Sequence, residues 1–219
     1  MTTKTVVAPL FPLPGFVLFP RTMVPLHIFE PRYRQMVQDV LAGDQRIATA
    51  QLRPGWEDGY EGRPPVYRMV TLARILHEER LPQGRYNIIV EGIQRARIVE
   101  EPRTDKLYRL TKVAPVTEAF HEDERDSLKS ATEETVRLVE TLGELTPDLP
   151  KSLTNLKNIH LHPGIIADQI GQSLVSGGYE RQGLLEEENP LRRLQLVNVQ
   201  LRTLLARHVP NDEGESPEF

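Results

Sequence analysis

Phe11-Pro-Leu-Pro-Gly-Phe-Val-Leu-Phe-Pro-Arg-Thr-Met-Val-Pro-Leu-His-Ile-Phe-Glu-Pro-Arg-Tyr-Arg-Gln-Met-Val-Gln-Asp-Val-Leu-Ala-Gly43 is the stretch that decides the fold. Leu10–Phe19 is apolar but interrupted by Pro12, Pro14 and Gly15, and Met23–Phe29 is a second apolar run with Pro25 inside it. Proline donates no hydrogen bond to a sheet ladder, so both runs read as edge or first strands of a barrel-like module. Pro31–Leu41 reads as an amphipathic helix. Pro31 suits the first helical position, Tyr33, Met36, Val37, Val40 and Leu41 share a face, and Gly43 suits the position past the end.

Outward from this stretch, Arg46–Leu52 and Val66–Leu76 read as strands. Val66, Val70 and Leu72 lie on one face of the second, and Met69, Ala73 and Ile75 on the other. His77–Gly84 reads as a turn, and Arg85–Glu91 as a return strand with Tyr86, Ile88 and Val90 on one face. Gly92 reads as a break or bulge. Ile93–Glu100 and Leu107–Val116 complete a succession of short strands that suggests a closed or nearly closed barrel. Arg53–Pro65 is a long loop holding Trp56, the only tryptophan, and Tyr60; loops of this length are often functional.

From His121 the pattern turns helical. Leu128, Ala131, Thr135, Leu138 and Leu142 step at three and four, and Pro147–Pro150 interrupts. Pro163 opens a helix carrying Ile166, Ile170 and Leu174, and Gly177-Gly178 stops it. Glu180–Glu187 reads as a short helix, and Asn189-Pro190 as the cap and first turn of a last one. The expected fold class is α+β: a β pseudo-barrel with one short helix over residues 1–117, a helical subdomain over 118–210, and a flexible tail over 211–219.

Composition narrows the chemistry. The 219 residues include no cysteine, which excludes disulfides, thiolate metal sites and cysteine nucleophiles. A net charge of −4 argues against a dedicated nucleic-acid binder. Prolines cut the N-terminal apolar stretch, so it does not read as a signal peptide, and no window suits a membrane span. The expected location is cytoplasmic.

Few residue sets suggest a reaction. His160 and His162 are too few to hold a metal. Glu30 reads as a carboxylate at a helix N-terminus, paired with Arg32 or Arg34. Glu91 and Arg95 read as a polar pair flanking Gly92, and Glu78-Glu79 and Glu186–Glu188 as solvated helix or turn ends. Trp56 and Tyr60 either anchor a partner or staple their own loop to the barrel. Phe16, Leu18 and Phe19 either cover the barrel or form an exposed apolar patch.

The opening, Leu-Phe-Pro-Leu-Pro-Gly-Phe-Val-Leu-Phe-Pro and then Val-Pro-Leu-His-Ile-Phe-Glu-Pro-Arg-Tyr, resembles the start of the Lon protease N-terminal substrate-binding domain. Leu72–Val99 is similar to that domain's hairpin, with Ala-Arg-Ile, Leu-Pro-Gln-Gly-Arg and Val-Glu-Gly-Ile-Gln-Arg in order. Ile165–Leu174, Gly183-Leu-Leu-Glu-Glu-Glu and Leu191-Arg-Arg-Leu resemble its helical end, so the likeness runs from about residue 8 to residue 205. The chain departs from the family in Met69-Val70-Thr71, where a glycine is usual, and in Arg181-Gln182-Gly183.

The resemblance implies a PUA-like pseudo-barrel and a non-enzymatic, stand-alone module. It would bind unfolded or tagged polypeptides, with an ATP-dependent protease as a further partner. No Gly-x-x-x-x-Gly-Lys-Ser/Thr loop is present, and no Ser-Lys dyad, cofactor or metal carries over. Trp56, Tyr60, Phe16, Leu18 and Phe19 are the candidate binding residues. The alternative is a PUA-like reader of RNA or a small molecule, using Arg85, Arg95 and Arg97 as a basic stripe.

Overall fold

The computed structural model describes residues 4–150, 153 and 161–207. Six strands occupy the first half: β1 (Val6–Leu13), β2 (Met23–Ile28), β3 (Arg46–Gln51), β4 (Met69–Leu81), β5 (Arg85–Glu100) and β6 (Arg109–Pro115). Helix α1 (Pro31–Leu41) lies between β2 and β3, and α2 (Arg125–Leu145), α3 (Pro163–Leu174), α4 (Gly178–Glu186) and α5 (Pro190–Ala206) follow β6. This is the expected α+β class. The strands run in the order β2-β5-β4-β3-β1-β6, and an additional β5–β6 pairing joins β1, β3, β4, β5 and β6 into a ring. The ring is a pseudo-barrel rather than a true barrel, with β2 appended at its edge.

Side-chain size follows from that closure. All five ring strands contribute to one apolar cluster, of Ala8, Leu10, Ala48, Ala50, Val70, Leu72, Ala96, Ile98 and Val113. Four alanines are what a narrow ring can enclose at native density. A second cluster packs Tyr33, Met36, Val37 and Val40 of α1 against Phe11, Ile47, Ile75, Tyr86, Ile88 and Val90. The third is the helical core, where Ile166, Ile170, Leu194, Val197 and Leu201 meet Val17, Phe19 and Met69 from the sheet half.

Several local expectations hold. Helix α1 has the bounds read from sequence, with Pro31 in its first turn, and Asn189 accepts from the backbone N–H groups of Leu191 (2.8 Å) and Arg192 (3.3 Å) to cap α5. Others are corrected. The left-handed position after α1 belongs to Gln45 (φ 60°), not Gly43. The hairpin strands are longer than read, because β4 continues to Leu81 and the turn is confined to Pro82–Gly84. Glu78 and Glu79 therefore lie on a strand, opposite Ile88 and Asn87. Gly92 does not interrupt β5; the register shift falls beside it, where Ile93 has no counterpart between Leu72 and Ala73.

Proline placement divides in two. β2 is an edge strand, paired with β5 alone. β1 is not, since it pairs with β6 over Val6–Leu10 and with β3 over Leu10–Leu13. The two partners are staggered and overlap only at Leu10, so Pro9 and Pro12 each sit where one side of the strand is unpaired. That is how an internal strand accommodates a missing N–H. His160 and residues 211–219, singled out in the sequence, lie outside the described residues.

Candidate functional site

The long loop between β3 and β4 is the feature to build from. Its ends are tied by the Leu52–Val66 bridge and by the Arg53 N–H to Pro65 carbonyl bond (2.9 Å). Its centre is tied to the start of α1, where the chain's Phe-Glu-Pro-Arg places Glu30 and Arg32 side by side. Arg32 donates to Glu30 from Nε (3.0 Å) and Nη2 (2.8 Å), and from Nη1 to the Tyr60 carbonyl (2.9 Å). The Tyr60 hydroxyl donates to the other Glu30 oxygen (2.7 Å). The Arg32 guanidinium lies 4.5 Å from the Tyr60 ring centre, and Trp56 meets Tyr60 edge-on with centroids 5.3 Å apart. Trp56 and Tyr60 are both half-buried. Glu30 thus pairs with Arg32 as read, while Arg34 donates to the Gln83 carbonyl in the hairpin turn.

Two open clefts flank this loop. One, of about 510 Å³, lies between Arg63, Pro65, Val66, Arg68, Ile98–Glu101 and Arg109; the other, of about 490 Å³, is lined by Glu57–Pro65. Arg109 clamps Glu101 with two bonds (2.9 and 2.8 Å) and donates to the Pro64 carbonyl (2.7 Å), fixing the loop's far end. The tethered loop therefore presents an aromatic pair on a held backbone, which limits the ordering cost of binding.

Three phenols, Tyr60 of the loop and Tyr33 and Tyr108 at α1, report on contacts in this region. Burial, then the hydrogen bond to Glu30, raises the Tyr60 pKa above its ordinary value. Burial raises that of Tyr33, and burial with a bond to Asp39 pushes Tyr108 up to about 12. The neutral phenol is favoured in the folded state, so this stability is fully present below the unfolded pKa of about 10. It is lost as pH rises through the folded values. Melting temperature should therefore fall as pH climbs above about 10, and phenolate absorbance should lag that of the denatured chain. Coincident titration curves would contradict these contacts.

The other candidates are less accessible. Leu18 (1% exposed) and Phe19 (0%) are core residues, which corrects their place among the candidate binding residues and favours the reading in which they cover the barrel: the corner before β2 turns both inward, Leu18 to the α1 cluster and Phe19 to the helical core. Phe16 is half-buried and packs with Leu18's cluster. Arg95 does not belong to a basic stripe and does not pair with Glu91. It is 4% exposed and grips Asp168 of α3 with two bonds (2.7 and 2.6 Å), while its Nε donates to the Leu185 carbonyl (3.0 Å). Arg97, the next outward residue, pairs with Glu188.

Asp168, Arg193 and Glu118 went unnoticed in the sequence. Arg193 is fully buried on α5, with its Nε 3.4 Å from Asp168 and its Nη2 on Glu118. The available signal was a carboxylate within the apolar run Ile165-Ile-Ala-Asp-Gln-Ile170; a buried charge demands a partner. His162, the described member of the histidine pair, accepts from the Gly164 N–H at the start of α3. Among the described residues no group of three His, Asp or Glu side chains is arranged to hold a metal ion. No helix among them is long and apolar enough to cross a membrane.

Comparison with known proteins bears on this geometry. The model of the ATP-dependent protease La (LON) substrate-binding domain matches residues 7–203. Lon protease of Trichlorobacter lovleyi is 31% identical over 203 residues, covering 91% of this chain and 24% of the relative. Lon protease 2 of Myxococcus xanthus is 30% identical over 202 residues, 87% of this chain and 23% of its own length. The chain thus spans under a quarter of these curated relatives. In fold it is similar to the N-terminal domain of Mycobacterium avium complex Lon protease, with TM-score 0.71 and 21% identity, over 90% of this chain and 98% of that one. The Lon N-terminal domain protein from Xanthomonas campestris superimposes with TM-score 0.57 at 21% identity, over 92% and 98%. With its ring, appended strand and helices matching across nearly its described length, the chain belongs to the family of the Lon protease substrate-binding domain.

Proposed function

We propose that this chain is a non-enzymatic polypeptide-binding module that recognises unfolded or tagged chains and delivers or holds them for a partner such as an ATP-dependent protease. The observation that carries this reading is the family match over residues 7–203, which falls on the substrate-binding part of its relatives. The structure supports it with a tethered loop on which Tyr60 lines an open cleft and Trp56 packs edge-on against Tyr60. Aromatic side chains on a held backbone suit a client without fixed sequence, because they supply apolar contact area at small entropic cost. Two carboxylates that border the loop are occupied, Glu30 by Arg32 and Tyr60 and Glu101 by Arg109. That suits a scaffold better than acid–base chemistry.

The test is a double substitution, Trp56→Ala with Tyr60→Ala. Loss of a hot-spot pair worth at least about 2 kcal/mol should weaken binding of a reduced, denatured protein by roughly 30-fold, with far-UV circular dichroism unchanged. Unaltered affinity would remove the loop from the site.

A further inference from the structure

Among the described residues the appended strand β2 has one partner, β5, and no strand lies along its other side. The direction of its backbone groups follows from one bond. The Gly92 N–H donates to the Thr22 carbonyl (3.0 Å), and antiparallel pairing alternates from there. Val24, Leu26 and Ile28 exchange hydrogen bonds with Val90, Ile88 and Tyr86, whereas Met23, Pro25 and His27 turn their backbone groups away from β5. Pro25 sits at one of the outward positions, where its missing N–H costs the ladder nothing. The open side thus carries the N–H groups of Met23 and His27 and the carbonyls of Met23, Pro25 and His27.

Side chains around this edge point to the kind of occupant. Met23 is 63% exposed and Ile89, opposite Pro25, 37%. At the Met23 end the edge opens into a cavity of about 250 Å³ between β2 and α3, lined by Gln169, Gln172 and Ser173. Gln172 Oε1 accepts from the Phe19 N–H (3.1 Å), which fixes its amide. Its Nε2, and the side chains of Gln169 and Ser173, have no partner among the described residues. A fixed amide donor beside an open strand edge matches the carbonyls of an extended backbone, whatever its sequence.

We propose that the open edge of β2 takes an extended, apolar segment of client polypeptide as an added strand, with its end in the cavity beside α3. This rests on the polypeptide-binding reading above and names a second contact surface and its mode. Main-chain pairing supplies affinity without demanding sequence, which is what a recogniser of unfolded chains needs. Pro25 removes one donor and leaves five outward groups, and it also discourages edge-to-edge pairing between copies.

The experiment uses the whole chain and an eight-residue Val/Thr peptide N-methylated at alternate residues, so that it keeps one bonding edge and cannot stack on itself. The control is the same peptide N-methylated at every residue. Amide exchange of Met23 and His27 is followed by NMR. Saturating peptide should slow exchange at both amides at least tenfold, and the control should bind at least tenfold more weakly. Equal affinity for the two peptides, or unchanged exchange at Met23 and His27, would overturn strand addition. Concentration-dependent protection of these amides without peptide would overturn it in favour of a second copy on the edge. None of these outcomes touches the broader reading, which is tested separately by titration with denatured protein.

Discussion

Replacing Asp168 with alanine is expected to lower the unfolding free energy by about 3–5 kcal/mol, the cost of leaving a buried charge without its partner. Asp168 is 2% exposed and is the meeting point of three elements: Arg95 of β5 grips it with two bonds, and Arg193 of α5 approaches it at 3.4 Å. Removing its carboxylate strands Arg95, whose remaining bonds go to α4 carbonyls, and leaves Arg193 with Glu118 and the Glu187 carbonyl. Because β5 belongs to the ring and α3 and α5 to the helices, the loss should loosen one half against the other. The double substitution Arg95→Met with Asp168→Leu separates pairing from packing. Replacing a buried pair by apolar residues is often near neutral, so the double variant should recover most of the loss. Urea unfolding of the three proteins checks this. A single-variant loss below about 1 kcal/mol would mean that water already reaches the pair.

Gly92→Ala is expected to cost about 3 kcal/mol, the upper range for forcing atoms into a packed core. A Cβ there would lie 2.1 Å from the Phe19 carbonyl oxygen and 3.2 Å from the Pro20 Cα. Both are backbone atoms, and backbone cannot swing aside as a flexible side chain does. The corner is also pinned by the Arg21 N–H to Gly92 carbonyl bond (2.7 Å), and the Phe19 ring sits 3.1 Å from where a Cβ of Gly171 on α3 would lie. Moving the corner therefore disturbs the helical core as well as β5. Gly183→Ala is the internal control. Gly183 is exposed in the interior of α4 with nothing within 4 Å of a new Cβ, so alanine there should stabilise by roughly 0.5–1 kcal/mol. Similar effects at the two sites would contradict the packing described at the corner.

These two positions mark what the sequence shows and what it hides. Helix α1 was legible to its bounds because proline, a spaced apolar face and a short length all agree. The alternation of Tyr86, Ile88 and Val90 was legible for the same reason. The hairpin was read short because His77–Arg80 is polar, yet strand pairing with Asn87 and Tyr86 carries β4 on to Leu81. Pro12 misled about β1 because staggered partners are a property of the closed ring, which local sequence does not encode. Among the site residues, Tyr60 and Glu30 could each be noticed, but the bond between them spans thirty positions. Leu18 and Phe19 gave no hint of their direction, since an apolar run before an edge strand looks the same facing in or out. Arg95 read as a polar partner of Glu91, or alternatively as one of a row of arginines; its actual partner lies 73 residues away on another element.

The most direct test of the central claim is fluorescence of Trp56 during titration with a denatured, non-aggregating protein, with the same protein folded and an RNA as controls. The account predicts a saturable change with the denatured chain alone, because Trp56 and Tyr60 form the aromatic face of the loop. A change with RNA alone, or the same response to the folded protein, would contradict it.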